Sequence, residues 1–250
     1  MSQDANQRRV LTASDQAAIA RWRPEVSLKN RVLAVAVGGL SRVLMQRLNR
    51  VVMCDPERFW NARASGRGLL SFSNHVSLFD DPLLTACMSG TEWTSLRWIA
   101  ADAHNFFGSW TKAAVFNAGK CVPIVRGGGV AQPGMTFLAQ KLAEGDWVHV
   151  FPEGGRTRHA EGRLRLPFKR GMAELITTAR PLVIPFHHRG MRHILPIGRR
   201  VPSIGKQVDV RFGVTVDAAG GWGDQSIEAI TSWAEQQLTA LEARALEEAT

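Results

Sequence analysis

With 250 residues, 45% of them hydrophobic and 21% charged, the chain suits one sizeable α/β domain or two small ones of ordinary globular composition, with core enough to fold without staples. Its three cysteines, Cys54, Cys87 and Cys121, are odd in number and widely spaced, which argues against a disulfide framework or a zinc site and reads as reduced thiols in a reducing compartment. A formal charge of +9 asks for an anionic partner. No helix-turn-helix, zinc-finger or RNA-binding signature is present, so an anionic membrane surface or a phosphorylated substrate is expected and nucleic acid is not.

Residues 1–24 are polar and include Asp4 and Asp15, so no signal peptide is expected. Ser14-Asp15 is placed to cap a short helix toward Trp22, which Pro24 stops. Over residues 27–50, Leu33, Val37, Leu40, Leu44 and Leu48 recur at helical spacing, with Arg31 and Arg42 on the opposite face. Such a helix either lies in a membrane interface or packs its stripe on the domain core. Its longest uncharged apolar run, Val32 to Ser41, has 10 residues, well short of the roughly 20 that span a bilayer.

From Leu69 the pattern alternates. Strands are expected at 69–73, 96–100, 121–125, 147–151, 182–186 and 207–213, with helices at 80–90, 103–117, 133–144 and 168–179 and a C-terminal helix at 225–248. That alternation predicts an α/β fold, a mostly parallel mixed sheet covered by helices on both faces. The expected organisation is one domain, residues 51–250, behind an N-terminal helical membrane-surface segment, residues 1–50.

Four stations fall at the turns after strands, where ligands bind in such folds. The first is Asn74-His75-Val76-Ser77-Leu78-Phe79-Asp80-Asp81-Pro82: a carboxylate beside an imidazole can hold the tautomer whose second nitrogen accepts a proton. Ser77 reads as a nucleophile activated by His75 or, more commonly for a serine opening a helix, as an N-cap. Asp81 reads as a support of the turn or the helix N-terminus. The second station is Gly119-Lys120-Cys121-Val122-Pro123-Ile124-Val125-Arg126, a strand ending in an arginine able to fork onto a phosphate or simply to be solvated. The third is Phe151-Pro152-Glu153-Gly154-Gly155-Arg156-Thr157, where glycines let a ligand approach the backbone and a carboxylate can hold a hydroxyl. The fourth, Pro167-Phe168-Lys169-Arg170-Gly171, sets cations at a helix start. His149 lies in a strand and reads as structural. His187, His188 and His193 lack a carboxylate or cysteine at ligand spacing, so no metal is expected.

In this order the stations resemble the glycerolipid acyltransferase superfamily: H-x-x-x-x-D, a strand ending in arginine, F-P-E-G, then F-K-x-G and an apolar strand with proline (Val183-Ile184-Pro185). Within it the chain is most similar to the tafazzin family, through Gly119-Lys120-Cys121-Val122-Pro123, Gly145-Asp146-Trp147-Val148-His149 and Gly190-Met191 before Leu195-Pro196. Gly155-Arg156-Thr157 looks instead like the acyl-CoA-dependent lysophosphatidate acyltransferases, and His187-His188 stands where a Trp-His pair is more usual. The resemblance implies a glycerol-3-phosphate acyltransferase-like fold and transfer of a fatty acyl group between phospholipid and lysophospholipid without coenzyme A or any other cofactor. The alternatives are acyl-CoA as donor and, outside enzymes, a basic membrane-surface binding protein. It implies His75 and Asp80 as catalytic, Arg126 and Lys169 holding phosphate, Glu153 and Gly154 shaping the site around glycerol, and Asn74, Ser77 and Asp81 in support. A peripheral protein on the cytoplasmic side of a membrane is the expected setting, with residues 27–50 and basic surface at Arg156, Arg158, Arg163, Arg165, Arg199 and Arg200 against lipid.

Overall fold

The computed structural model describes residues 10–25, 27–90, 92–196, 198, 199 and 201–247. Arg200 and residues 1–9 of the expected N-terminal segment lie outside the described residues. The chain opens with helices α1 (Ala13–Ala20) and α2 (Leu28–Gln46), strand β1 (Arg50–Cys54) and helix α3 (Pro56–Ala64). Strand β2 (Leu69–Ser73) leads to a π-helical turn (Asp80–Thr85) that runs into α4 (Ala86–Met88), then β3 (Trp98–Asp102), α5 (Ala103–Phe107), α6 (Trp110–Ala118) and β4 (Cys121–Ile124). Helix α7 (Pro133–Ala143), β5 (Trp147–Val150), α8 (Gly171–Ala179), β6 (Leu182–Arg189), α9 (Met191–Ile194), β7 (Gln207–Phe212), β8 (Val216–Asp217) and α10 (Ile227–Glu247) complete it.

The sheet order is β1-β7-β6-β2-β5-β3-β4, with β8 also on β6. Strands β6, β2, β5, β3 and β4 run parallel, while β7 meets β6 antiparallel and carries β1 parallel to itself. Strand β2 is buried along its whole length, as a central parallel strand covered on both faces must be. Its alternation divides the core. Leu70 and Phe72 face a cluster built with α7, α8 and α10. Leu69 faces the other side with Trp147, Ile184, Phe186 and Phe59 of α3. The parallel strands therefore end together, and the turns after β2, β3, β4, β5 and β6 share one edge of the sheet.

Several local expectations shift. Thr12, not Ser14, caps α1; Asp15 at the third helical position accepts in return from the Thr12 amide at 2.7 Å, completing a capping box. Strand β3 starts at Trp98 because Leu96 is used closing a 3-10 turn on Trp93. The 103–117 helix breaks at Gly108 and restarts under the Ser109 cap. The edge strand β1 went unseen in the sequence because it shows no clean alternation: four of its five residues are half-buried and one is exposed.

Helix α2 is decided by its small residues. Ala34, Gly38, Ser41 and Met45 face the domain, and α2 packs across the 80–88 turn and beside α6. The large apolar side chains point outward: Leu28 is 78% exposed, Val32 62% and Leu40 70%, with Val35, Val37 and Val43 also exposed. Trp110 and Val115 of α6 are exposed as well. No helix among the described residues is long and apolar enough to cross a membrane.

Candidate active site

His75 leaves the carboxyl end of β2 and is held on every side. Its Nδ1 lies 3.0 Å from Asp80 Oδ2, and its ring stacks on Phe151 with centroids 4.0 Å apart and planes 12° from parallel. The His75 amide donates to Glu153 Oε1 at 2.6 Å, and its carbonyl accepts from the Thr157 amide at 2.8 Å. Asp80 Oδ2 also accepts from the Val76 and Ser77 amides, at 2.6 and 2.8 Å. Those two amides take the place of water at a carboxylate that is only 1% exposed. With Nδ1–H donating to Asp80, Nε2 is left as the acceptor, and it has no hydrogen-bond partner among the described residues. The pairing fixes the tautomer and leaves Nε2 able to accept a proton, the geometry a general base requires.

The supporting residues do what backbone satisfaction demands. The Ser77 hydroxyl accepts from the Phe79 amide at 3.3 Å and donates to the Leu195 carbonyl at 3.4 Å. It sits in a turn, with no hydrogen bond to His75 among the described residues. Asp81 forms a forked ion pair with buried Arg97, whose third arm donates to the Gly119 carbonyl at 2.8 Å. This pair ties the turn after β2 to the start of β4. Asn74 clamps the β6 backbone at His188, donating to its carbonyl and accepting from its amide, both at 2.9 Å.

Glu153 is buried, and its second oxygen accepts from the Arg165 amide at 2.9 Å. Burial pushes its carboxyl up to about 7, against the pull of the two amides. Both oxygens thus serve the protein backbone, so the carboxylate braces His75 and the 151–170 loop. Gly154 has φ +68°, which favours glycine, and a β-carbon there would stand 2.9 Å from Lys169 Cγ. The Lys169 stem therefore lies along Gly154.

Gly155 has no positive φ, so its backbone admits any residue. A β-carbon there would lie 3.6 Å from one Arg165 guanidinium nitrogen and 3.8 Å from both terminal nitrogens of Arg126. Two guanidinium groups and a lysine stem converge over a Gly-Gly floor, an arrangement that fits an anion. Arg126 is aimed there by Asp102, whose Oδ2 holds its Nε at 2.8 Å. The loop bearing Arg165 and Lys169 is pinned by carboxylates of α10: Glu242 accepts from the Leu164 amide at 3.0 Å, and Glu235 from the Phe168 amide at 2.7 Å.

The fold thus joins His75, Asp80, Glu153 and the Gly154–Gly155 floor with Arg126 and Lys169. Asp102 and Arg165's part in the cradle were missed in the sequence. The available signal was an aspartate closing the strand next to the one that ends in Arg126. Lys120, in the Gly119–Pro123 stretch, stands apart: its ammonium sits 4.1 Å over Trp93 and donates to the Leu96 carbonyl at 2.9 Å, a packed cation at the opposite end of β4. His149 is structural, its Nδ1 2.9 Å from Ser71 Oγ.

The acyltransferase family profile matches residues 55–189. A tafazzin of Drosophila melanogaster is 35% identical over 73% of this chain and 50% of its own length. An N-acylphosphatidylethanolamine synthase of Arabidopsis thaliana is 32% identical over 76% of this chain and 70% of its own. The chain spans about half the length of the tafazzins it matches. Among solved structures, the 1-acyl-sn-glycerophosphate acyltransferase PlsC of Thermotoga maritima superposes with a TM-score of 0.61 at 21% identity, over 85% of this chain and 79% of that one; that likeness is one of fold.

Proposed function

The chain belongs to the acyltransferase family, and from that premise we propose that it moves a fatty acyl group from a phospholipid onto the hydroxyl of a lysophospholipid. The observation that carries this reading is the His75–Asp80 pairing at 3.0 Å beside the cation cradle over Gly155. His75 Nε2 takes the acceptor's hydroxyl proton as the oxygen attacks the acyl carbonyl. The new ester bond forms, the donor's ester bond breaks, and the proton passes from His75 to the departing oxygen. An ester is exchanged for an ester, so the equilibrium lies near unity and no coenzyme is required. Arg126, Arg165 and Lys169 hold the phosphate of the lipid.

Likeness to the tafazzins supports a phospholipid donor; an acyl-CoA donor and an amine acceptor, the latter matching the name of the plant relative, are the rivals. Purified protein incubated with acyl-labelled phosphatidylcholine, lysophospholipid and phosphatidylethanolamine is expected to form a labelled ester without coenzyme A. Label transferred only from acyl-CoA overturns the donor assignment, and label recovered as an amide overturns the acceptor assignment.

The cradle predicts a specific defect for Gly155→Ala. The backbone admits alanine, but the methyl group stands 3.6 Å from an Arg165 guanidinium nitrogen and 3.8 Å from both terminal nitrogens of Arg126, in the space a phosphate between them would take. Charge-assisted hydrogen bonds are worth about 1.5–3 kcal/mol each, so the acceptor KM is expected to rise about tenfold or more with kcat nearly unchanged. A pure loss of kcat would contradict a phosphate role.

Attachment to the membrane is assigned to the outward face of α2, continued by Trp110 and Val115 of α6. Since α2 packs on the 80–88 turn, the lipid surface would lie beside the dyad. Leu28→Glu, Val32→Glu and Leu40→Glu together are expected to lower partition onto anionic vesicles at least a hundredfold, because each apolar side chain buried contributes about 1.5–3 kcal/mol. These side chains are largely solvent-exposed, so the unfolding temperature should hold. Unchanged co-sedimentation would move the anchor elsewhere.

A further inference from the structure

We infer that His188 is a positioning residue for this reaction, holding the Asn74–His75 peptide from the side opposite Glu153 and so aiming the His75 ring. The inference rests on the reading of His75 as the base.

A trans peptide points its C=O and N–H in opposite directions, and here both ends are gripped. The Asn74 carbonyl accepts from His188 Nε2 at 3.0 Å, and the His75 amide donates to Glu153 at 2.6 Å. Because the carbonyl can only accept, Nε2 of His188 carries the proton and Nδ1 is bare. With the two bonds between the Asn74 side chain and the His188 backbone, three hydrogen bonds fasten residue 74 to residue 188. That is the peptide from which the His75 side chain departs.

The imidazole is 1% exposed, and its Nδ1 is buried without a partner among the described residues, which costs free energy that an apolar side chain would not. The Asn74 carbonyl would not be orphaned by such a change, since it also accepts from Ser73 Oγ at 3.1 Å. Burial keeps the ring neutral, with Asp80 pulling the other way. Nε2 also lies 3.8 Å from Asp80 Oδ2. That is too long for a hydrogen bond, yet it sets the positive end of the N–H dipole beside the catalytic carboxylate.

Two substitutions separate positioning from packing. His188→Leu fills the space without a donor, while His188→Gln places an amide N–H the same number of bonds from the backbone as Nε2. In the transfer assay, His188→Leu is expected to lose at least tenfold in kcat with the acceptor KM within twofold and the unfolding temperature not lowered. His188→Gln should stay within threefold of wild type. In parallel, nitrogen-edited NMR of histidine-labelled protein should show the His75 Nδ1–H resonance, protected by Asp80, in wild type and His188→Gln, and its loss to exchange in His188→Leu. If the wild-type protein transfers no acyl group, the proposed function fails by itself and the NMR comparison decides His188. Full kcat or an unchanged His75 resonance in His188→Leu would overturn the inference. So would a lowered unfolding temperature in that variant, or a His188→Gln as impaired as His188→Leu.

Discussion

Asp80→Asn should cost about a thousandfold in kcat while leaving the acceptor KM nearly unchanged. Oδ2 of Asp80 takes all three hydrogen bonds, from His75 Nδ1 and from the Val76 and Ser77 amides. Oδ1 is buried without a partner among the described residues. An asparagine that keeps its oxygen in the Oδ2 position therefore keeps the turn and the His75 tautomer, and sets its NH₂ in the empty position. What it removes is the charge that stabilises the imidazolium when His75 holds the proton. Two unit charges about 4 Å apart interact by about 4 kcal/mol at an effective dielectric of about 20, which is about a thousandfold in rate. Steady-state kinetics with circular dichroism as the control checks this. A loss under tenfold would mean that Asp80 acts through geometry alone.

What the sequence made legible follows from the physics of parallel sheets. Their strands are continuous apolar runs, so 69–73, 121–125, 147–151 and 182–186 were visible as short apolar segments, and the chemistry of H-x-x-x-x-D, Arg126 and Glu153-Gly154 fell at their carboxyl ends. The likeness in motif order carried the family, which the acyltransferase profile over residues 55–189 shows independently. Contacts between distant residues were not legible. Asp102 reaches Arg126 from the neighbouring strand, and His188 reaches Asn74 across β6 and β2; no spacing announces either. Glu153 read as a carboxylate able to hold a hydroxyl, and no spacing announced that each of its oxygens also accepts from a backbone amide, of His75 and of Arg165. The stripe of α2 was readable, but its direction was not. Periodicity marks an apolar face without saying where it points, and here Ala34, Gly38 and Ser41 allow close approach to the domain on the other side.

His75→Ala should have the largest effect of all. General acid–base catalysis contributes about 10²–10⁴-fold, and the neighbouring groups among the described residues are committed elsewhere: His188 and His149 are buried and held neutral by desolvation, Glu153 gives its oxygens to two amides, and the Ser77 hydroxyl is occupied in its turn. The fold should survive, because the backbone bonds of residue 75 to Glu153 and Thr157 do not involve the ring. Loss of the ring leaves Asp80 still paired with two amides.

The most direct measurement is therefore the initial rate of label transfer from acyl-labelled phosphatidylcholine to a lysophospholipid, without coenzyme A, by wild-type and His75→Ala protein of matched circular dichroism. Robust transfer by the wild type that falls more than about a thousandfold in the variant is the predicted result. Equal transfer by both proteins would contradict His75 as the base.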